Sequence, residues 1–259
     1  FETSRRSQPS VPGFSLLGDS VPAPVDPRIN LNNQTWSLPV VLDGDTASLR
    51  WRQKLPDGWQ FTAHAATQSL RSDDRIAFPF GLDCNETSSF TGVFYCDRYG
   101  PDGRVDIYDF RSENERRRTD ALDLSLQGKL RTGTIEHALS AGVLQSRVKN
   151  RFQDQTFAFS GIGNVDGSIR DLPANPAPND ANTNRDERST ELSLRDAIAF
   201  DERSTLWLGL RHTRLHRENV RTDGSQPTDY AQSFSTPFVA ASYAFAPQQL
   251  VYASWSRGI

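Results

Sequence analysis

Hydrophobic residues recur at every second position through most of this chain, in runs too long for an ordinary soluble sheet and joined in pairs by turns of a few residues. Residues 46–55, TASLRWRQKL, put Ala47, Leu49, Trp51 and Leu55 on one side and Arg50, Arg52 and Lys54 on the other. Residues 59–68 answer with Trp59, Phe61, Ala63 and Ala65 against Gln60, Thr62, His64 and Gln68. Between them lies Pro56-Asp57-Gly58, a turn signal because proline presets φ and glycine accepts a positive one. A side-chain period of two marks strands, so these runs predict a hairpin.

The unit recurs. Residues 119–129 alternate Leu122, Leu124 and Leu126 with Asp123, Ser125 and Gln127, turn at Arg131-Thr132-Gly133, and return over 134–149 with Ile135, Leu139, Ala141 and Val143 on one face. Residues 189–200, with Leu192, Leu194 and Ile198, turn at Asp201-Glu202-Arg203 and return over 205–216, where Leu206, Leu208 and Leu210 oppose Trp207, Gly209 and Arg211. Residues 234–246 and 249–257 pair around Ala246-Pro247-Gln248, and residues 104–112 read as one more strand, about nine in all. The alternate connections are long and polar, over residues 71–103, 150–187 and 217–232.

That asymmetry decides the expected architecture. Strands of a soluble sandwich have a mode of about 5–6 residues and loops at both ends. Runs of about ten, with short turns on one side and long loops on the other, fit an antiparallel transmembrane β-barrel with short periplasmic turns and long extracellular loops. A content of 36% hydrophobic and 24% charged residues suits a wall that shows lipid only every second residue, and no stretch approaches the run of about 20 apolar residues a membrane helix needs. The alternative is a soluble secreted β-sandwich that binds a ligand or carbohydrate, because a half-buried sheet has the same period. A net charge of −3 gives no argument for nucleic-acid binding.

Three strings carry a family resemblance. They are RRTDALDLSLQGKLRTGTIEHALSAGV (117–143), ELSLRDAIAF with DERSTLWLGLRHTRL (191–215), and TPFVAASYAFAPQQLVYASWSRGI (236–259). Together they resemble the barrel of TonB-dependent siderophore receptors. The matches are Gly128, Lys129, Thr132, Gly133, His137, Leu139 and Gly142 in the first string, and Asp196, Gly209 and Arg211 in the second. In the third they are Pro237, Tyr252, Ala253, Ser254, Trp255, Ser256 and Gly258. The resemblance implies a receptor in the outer membrane of a Gram-negative bacterium. It would take up a ferric siderophore with energy relayed through TonB and a mobile plug. The barrels of that family have about twenty-two strands, and nothing here resembles the plug. Residues 1–259 are therefore expected to be a middle part of a barrel domain, with lipid, siderophore and TonB as partners and the siderophore as cargo rather than cofactor.

Ferric chelates are often anionic with flat, partly apolar arms, which suits arginine and aromatic side chains near the upper strand ends. Arg75, Phe78, Tyr95, Tyr108, Phe110 and Arg151 are the candidate ligand-binding residues. The run Arg116-Arg117-Arg118 reads as a solvated or lipopolysaccharide-facing cluster. Cys84 and Cys96 read as a loop disulfide in an oxidising compartment, with a buried reduced pair as the alternative. His212 and His216 are four apart on a strand pattern without the H-E-x-x-H carboxylate, so no metal site is expected. His137 should sit just above a periplasmic turn, and His64 on the lumen face. SGIGNVDG (160–167) lacks the strand-to-helix context of a phosphate cradle, and no motif predicts an enzyme. The proline-rich stretch from Pro9 to Asn33 should be an extracellular loop.

Overall fold

A computed structural model describes residues 1–10, 15–23, 26, 28–82 and 97–258. The candidates Tyr95, Cys84 and Cys96 lie outside the described residues. Ten antiparallel strands form one sheet. They are β1 (Glu2–Gln8), β2 (Val40–Lys54), β3 (Gln60–Pro79), β4 (Arg104–Thr132), β5 (Ile135–Arg151), β6 (Thr156–Asn164), β7 (Thr183–Ala199), β8 (Ser204–Arg221), β9 (Thr228–Ala246) and β10 (Gln249–Ser256). The order follows the chain, except that β6 leaves the path and pairs with β4.

The tight turns stand where the sequence puts them. Asp57 takes a positive φ of 57° in a short 3-10 turn, Gly133 takes 65° between β4 and β5, and Gln248 takes 65° between β9 and β10. Asp201 closes the β7–β8 turn by accepting the Arg203 and Ser204 backbone N–H groups at 2.8 and 2.7 Å. Those hydrogen bonds hold the Asp201 carboxyl below the usual carboxylate range.

Three expectations need correction. Residues 104–112 and 119–129 are one strand, the 29-residue β4. The connection expected over 217–232 contracts to 222–227, because β8 and β9 run on as a pair to Arg221 and Thr228. The connection expected over 150–187 contains β6. The join within β4 and the longer β8–β9 pair share a cause: a strand that stands in water on both faces needs no apolar period, and its backbone is satisfied by its neighbours whatever the side chains; β6 is different, since Phe157 and Phe159 do alternate in it. The stretch ENERRR (113–118) carries no hydrophobic residue, yet β3 and β5 pair with it.

Register then sorts the side chains. Leu49, Ala65, Leu122, Gln145 and Thr190 are direct cross-strand partners in one row, and Phe61, Leu126, Ala141, Leu194, Leu210 and Pro237 in another. This apolar face is uncovered: Leu49 is 75% exposed, Trp51 56% and Leu194 56%. A sandwich would bury those residues against a second sheet, and the described residues form only one. On this face Trp59 lies over Gly128, where any Cβ would collide with the indole ring. The other face carries Thr62, His64, Ser125, Ser140, Ser193 and Arg195.

The buried hydrophobic residues collect at the long-loop end. Leu31, Ala77, Tyr99, Val105 and Ile107 form a cluster, with Leu17, Ile29, Trp36, Val165 and Leu172 packed against it. The segment 33–36 is tied to 167–172. Asn33 Nδ2 donates to the Gly167 carbonyl at 2.8 Å, Gln34 Nε2 to that of Ile169 at 2.7 Å, and Trp36 Nε1 to that of Leu172 at 2.9 Å. Burial pushes the Tyr99 phenol up to about 12.

Candidate functional site

A bulge builds the site. Ser72 pairs with Glu115 and Asp74 with Ser112, so Asp73 stands opposite two residues, Glu113 and Asn114. Asn114 has φ 55°, and its N–H donates to Asp73 Oδ1 at 2.6 Å. Such a bulge bends the ladder and lets β4 change partners. Pairing with β5 ends at Arg116, and pairing with β6 begins at Arg111. Above the bulge the upper ends of β3 and β4 and all of β6 make a three-stranded extension with two different faces.

One face carries rings. Phe78 pairs with Tyr108 and Tyr108 with Phe159, while Phe110 pairs with Phe157. Tyr108 and Phe157 stack at 4.9 Å with planes 18° apart, and Phe159 meets Tyr108 edge-on at 5.8 Å. Phe80 lies 5.7 Å from Tyr108 and 6.0 Å from both Phe78 and Phe157, and Phe110 lies 6.4 Å from Phe157. Phe80, Phe157 and Phe159 are nearly half exposed. Rings held this way offer flat apolar surface to a ligand with little ordering cost.

Below the rings the same face continues into a polar network. Glu115 accepts from Ser72 at 2.8 Å, from Ser112 at 2.6 Å and from Arg117 at 2.5 Å. Arg117 also lies over the Phe152 ring at 5.2 Å. This face carries His64 and Gln68 lower down, with Arg50 Nη2 3.4 Å from His64 Nδ1. Further along it Trp207, Gly209, Arg211 and Phe238 line a hollow of 600 Å³.

The opposite face of the extension is covered. Asp109 is fully buried and pairs with Arg111 at 3.2 Å. Asp109 Oδ2 accepts the Asn175 N–H at 2.8 Å, and Arg111 donates to the Asn175 carbonyl. Arg75 lies here, opposite Arg111, and its carbonyl accepts the Leu38 N–H at 2.8 Å.

The structure thus brings together three of the sequence candidates, Phe78, Tyr108 and Phe110. Arg75 is on the reverse of the extension, away from the rings. Arg151 is on the apolar face of β5 and pairs with Asp186 at 2.5 Å. Phe80, Phe157, Phe159 and Arg117 were missed. The alternation of Phe157 and Phe159 in TFAFSG was the available signal. On the apolar side, His137 Nδ1 lies 2.8 Å from Asp196 Oδ2, bridging β5 and β7 near the short turns. His212 Nδ1 meets the Ser235 hydroxyl at 3.0 Å. His216, Glu218 and Asp229 bring ligand atoms within 4.8 Å of one another, and His216 Nε2 is already 2.8 Å from Asp229 Oδ1.

Comparison with known proteins bears on this arrangement. The family model for the TonB dependent receptor-like β-barrel matches residues 1–259. The chain superposes on the ferric-catecholate import receptor Fiu of E. coli K12 with a TM-score of 0.70 and 16% identity, over 98% of this chain and 42% of that one. For BauA, the ferric preacinetobactin receptor of Acinetobacter baumannii, the values are 0.67 and 15%, over 94% and 34%. For P. aeruginosa FpvA bound to a heterologous pyoverdine they are 0.63 and 18%, over 95% and 30%. No curated protein sequence matches. The chain spans roughly a third to two fifths of the length of these receptors. An uncovered leucine face, short turns at one end, long loops at the other and a match over every residue give one conclusion: the chain belongs to the TonB-dependent receptor-like β-barrel family, whose members are barrels of the Gram-negative outer membrane.

Proposed function

We propose that this chain forms part of the wall and mouth of a receptor that takes up a ferric siderophore, with energy supplied from the inner membrane through TonB. The observation that carries the reading is the ring cluster at Phe78, Phe80, Tyr108, Phe110, Phe157 and Phe159, which sits at the long-loop end on the face that lines the lumen. Chelate arms that are flat and partly apolar can stack there. The solved relatives named above include receptors for ferric chelates, which supports the same class of cargo. Energy coupling would act through a plug seated in the lumen, against surfaces such as the hollow at Gly209.

The test uses the full-length receptor in detergent, titrated with ferric catecholate and ferric hydroxamate chelates and followed by intrinsic fluorescence. Saturable binding of one class is expected. Phe157→Ala with Tyr108→Ala should weaken it by about tenfold or more, the loss of roughly two stacked-ring contacts. Arg75→Gln and Arg151→Gln should leave it unchanged. Absence of saturable binding to every ferric chelate would remove the reading.

A further inference from the structure

Near the long-loop end of β8 the register builds an unusual row of charge. His216 and Glu218 are two apart in β8 and share a face, and Asp229 stands directly opposite Glu218 on β9. Asp186 stands opposite Glu218 on the other side, on β7. Three carboxylates thus lie in one cross-strand row, on the face of the wall turned away from the lumen. Like charges directly opposite in an antiparallel pair repel and destabilise it.

Only one of the three is answered by an arginine. Arg151 takes Asp186 at 2.5 Å, whereas Glu218 and Asp229 meet no arginine or lysine among the described residues. What both meet is His216. Its Nε2 is 2.8 Å from Asp229 Oδ1 and 4.0 Å from Glu218 Oε1, and the three ligand atoms lie within 4.8 Å of one another. Arg188 opposes His216 on β7, and the two carboxylates outweigh its charge. Tetrahedral ligands about 2.0–2.2 Å from an ion stand about 3.3–3.6 Å apart. The observed separations from Nε2 lie on either side of that range, so small rotations of accessible side chains bring the donors to it. A hollow of 460 Å³, lined by Asp186, Glu218, Asn219, Thr228 and Asp229, gives a hydrated ion a way in and leaves a further position to water.

We propose that His216, Glu218 and Asp229 form a site for a divalent transition-metal ion of the zinc class, which clips β8 to β9 just below the connection at 222–227. Two features select such an ion over calcium or magnesium. An imidazole nitrogen suits zinc, copper, nickel or iron, whereas the hard cations take sets of oxygen ligands. Two carboxylates then balance the double positive charge, and the ion between them removes the repulsion of Glu218 and Asp229. When Nε2 takes the ion, the ring keeps its one proton on Nδ1, so the contact with Asp229 is exchanged for bonds to the metal. The spacing of four draws attention to His212 as a second ligand, yet His212 Nδ1 is engaged by the Ser235 hydroxyl at 3.0 Å. The partners of His216 come instead from two residues along its own strand and from across the hairpin. No ring and no lumen residue takes part, so the inference stands whatever chelate the mouth receives.

The test uses the full-length receptor in dodecyl maltoside, stripped of metal with a chelator, dialysed and titrated with zinc ions against a chromogenic zinc indicator. Wild type should hold zinc at a site that H216Q and D229N each weaken by at least about tenfold, since removing even an outer partner of a ligand has an effect of that size. H212Q should bind zinc as wild type does, and millimolar magnesium or calcium should leave the zinc in place. Heat-modifiable migration reports whether each variant is folded, and E218Q, at a more exposed position, should show the same loss. Equal zinc affinity in wild type and in the folded variants of His216, Glu218 and Asp229 would overturn the proposal, as would an equal loss in H212Q. So would release of the zinc by millimolar magnesium, which would make the row a site for any counter-ion.

Discussion

Leu194 in the middle of β7 and Ile107 at the top of β4 are similar side chains in opposite situations. Leu194 is 56% exposed on the uncovered face of the sheet; Ile107 is 2% exposed and belongs to the loop-end cluster, against which Trp36, Val165 and Leu172 pack. One belongs to a surface that lipid must complete, the other to a small core that the protein completes itself. The same hydrophobicity therefore stabilises by two routes, and only the second leaves a cavity when it is trimmed.

The sharpest way to break the comparison is to trim both. Ile107→Ala should cost about 2–5 kcal/mol locally, the transfer loss plus an unfilled cavity, and should show as faster protease cleavage in segments 15–38 and 165–180. Leu194→Ala should cost at most about 2 kcal/mol, since acyl chains close into the vacated space and only the transfer loss remains. Reversing polarity gives the next largest effect: Leu194→Arg should destabilise the barrel by about 2–4 kcal/mol in denaturant titrations in phospholipid vesicles, and by clearly less in detergent. Gly128→Leu, which forces Trp59 off the wall, should cost about 1–3 kcal/mol and red-shift tryptophan emission.

The smallest effects come from pH and separate the two regions again. Tyr99 has its folded pKa raised above the unfolded value of 10 to about 12. The stability it contributes is thus complete below pH 10 and is lost as pH rises toward 12, so the cluster should loosen there while the wall stays intact. Phenolate absorbance should show one tyrosine titrating late, and Tyr99→Phe should remove the alkaline loosening. Asp201 and Asp223 are depressed by turn hydrogen bonds, so their contribution holds above the unfolded carboxylate value and is lost as pH falls below it. That loss should fray the turns and spare the cluster.

The wall was legible because Leu122 to Leu126 and Leu206 to Leu210 face one solvent and their neighbours another, which writes period two into the sequence. The continuity of β4 through ENERRR was not, because both faces there meet water and no pattern is imposed. The cluster was illegible for a different reason: Trp36 and Leu172 meet only after some 130 intervening residues fold, and nothing local to either announces the other. Within the site, parity alone sorts the candidates. Arg75 and Phe78 differ by an odd number and cannot share a face of one strand, whereas Tyr108 and Phe110 must. Phe157 and Phe159 obey the same arithmetic inside a stretch assigned to a loop.

The unbroken length of β4 has a mechanical meaning. Its 29 residues run from the extracellular tip at Arg104 to the turn at Gly133, roughly 95 Å if fully extended, and neighbours flank most of that path. A load pulling outward on the tip acts along the ladder, so many hydrogen bonds must yield in shear together instead of peeling one by one. The bulge at Asp73 and Asn114 is the one interruption in that ladder with β3. A tether attached above it should give way there first, leaving the part of β4 below still anchored in its frame.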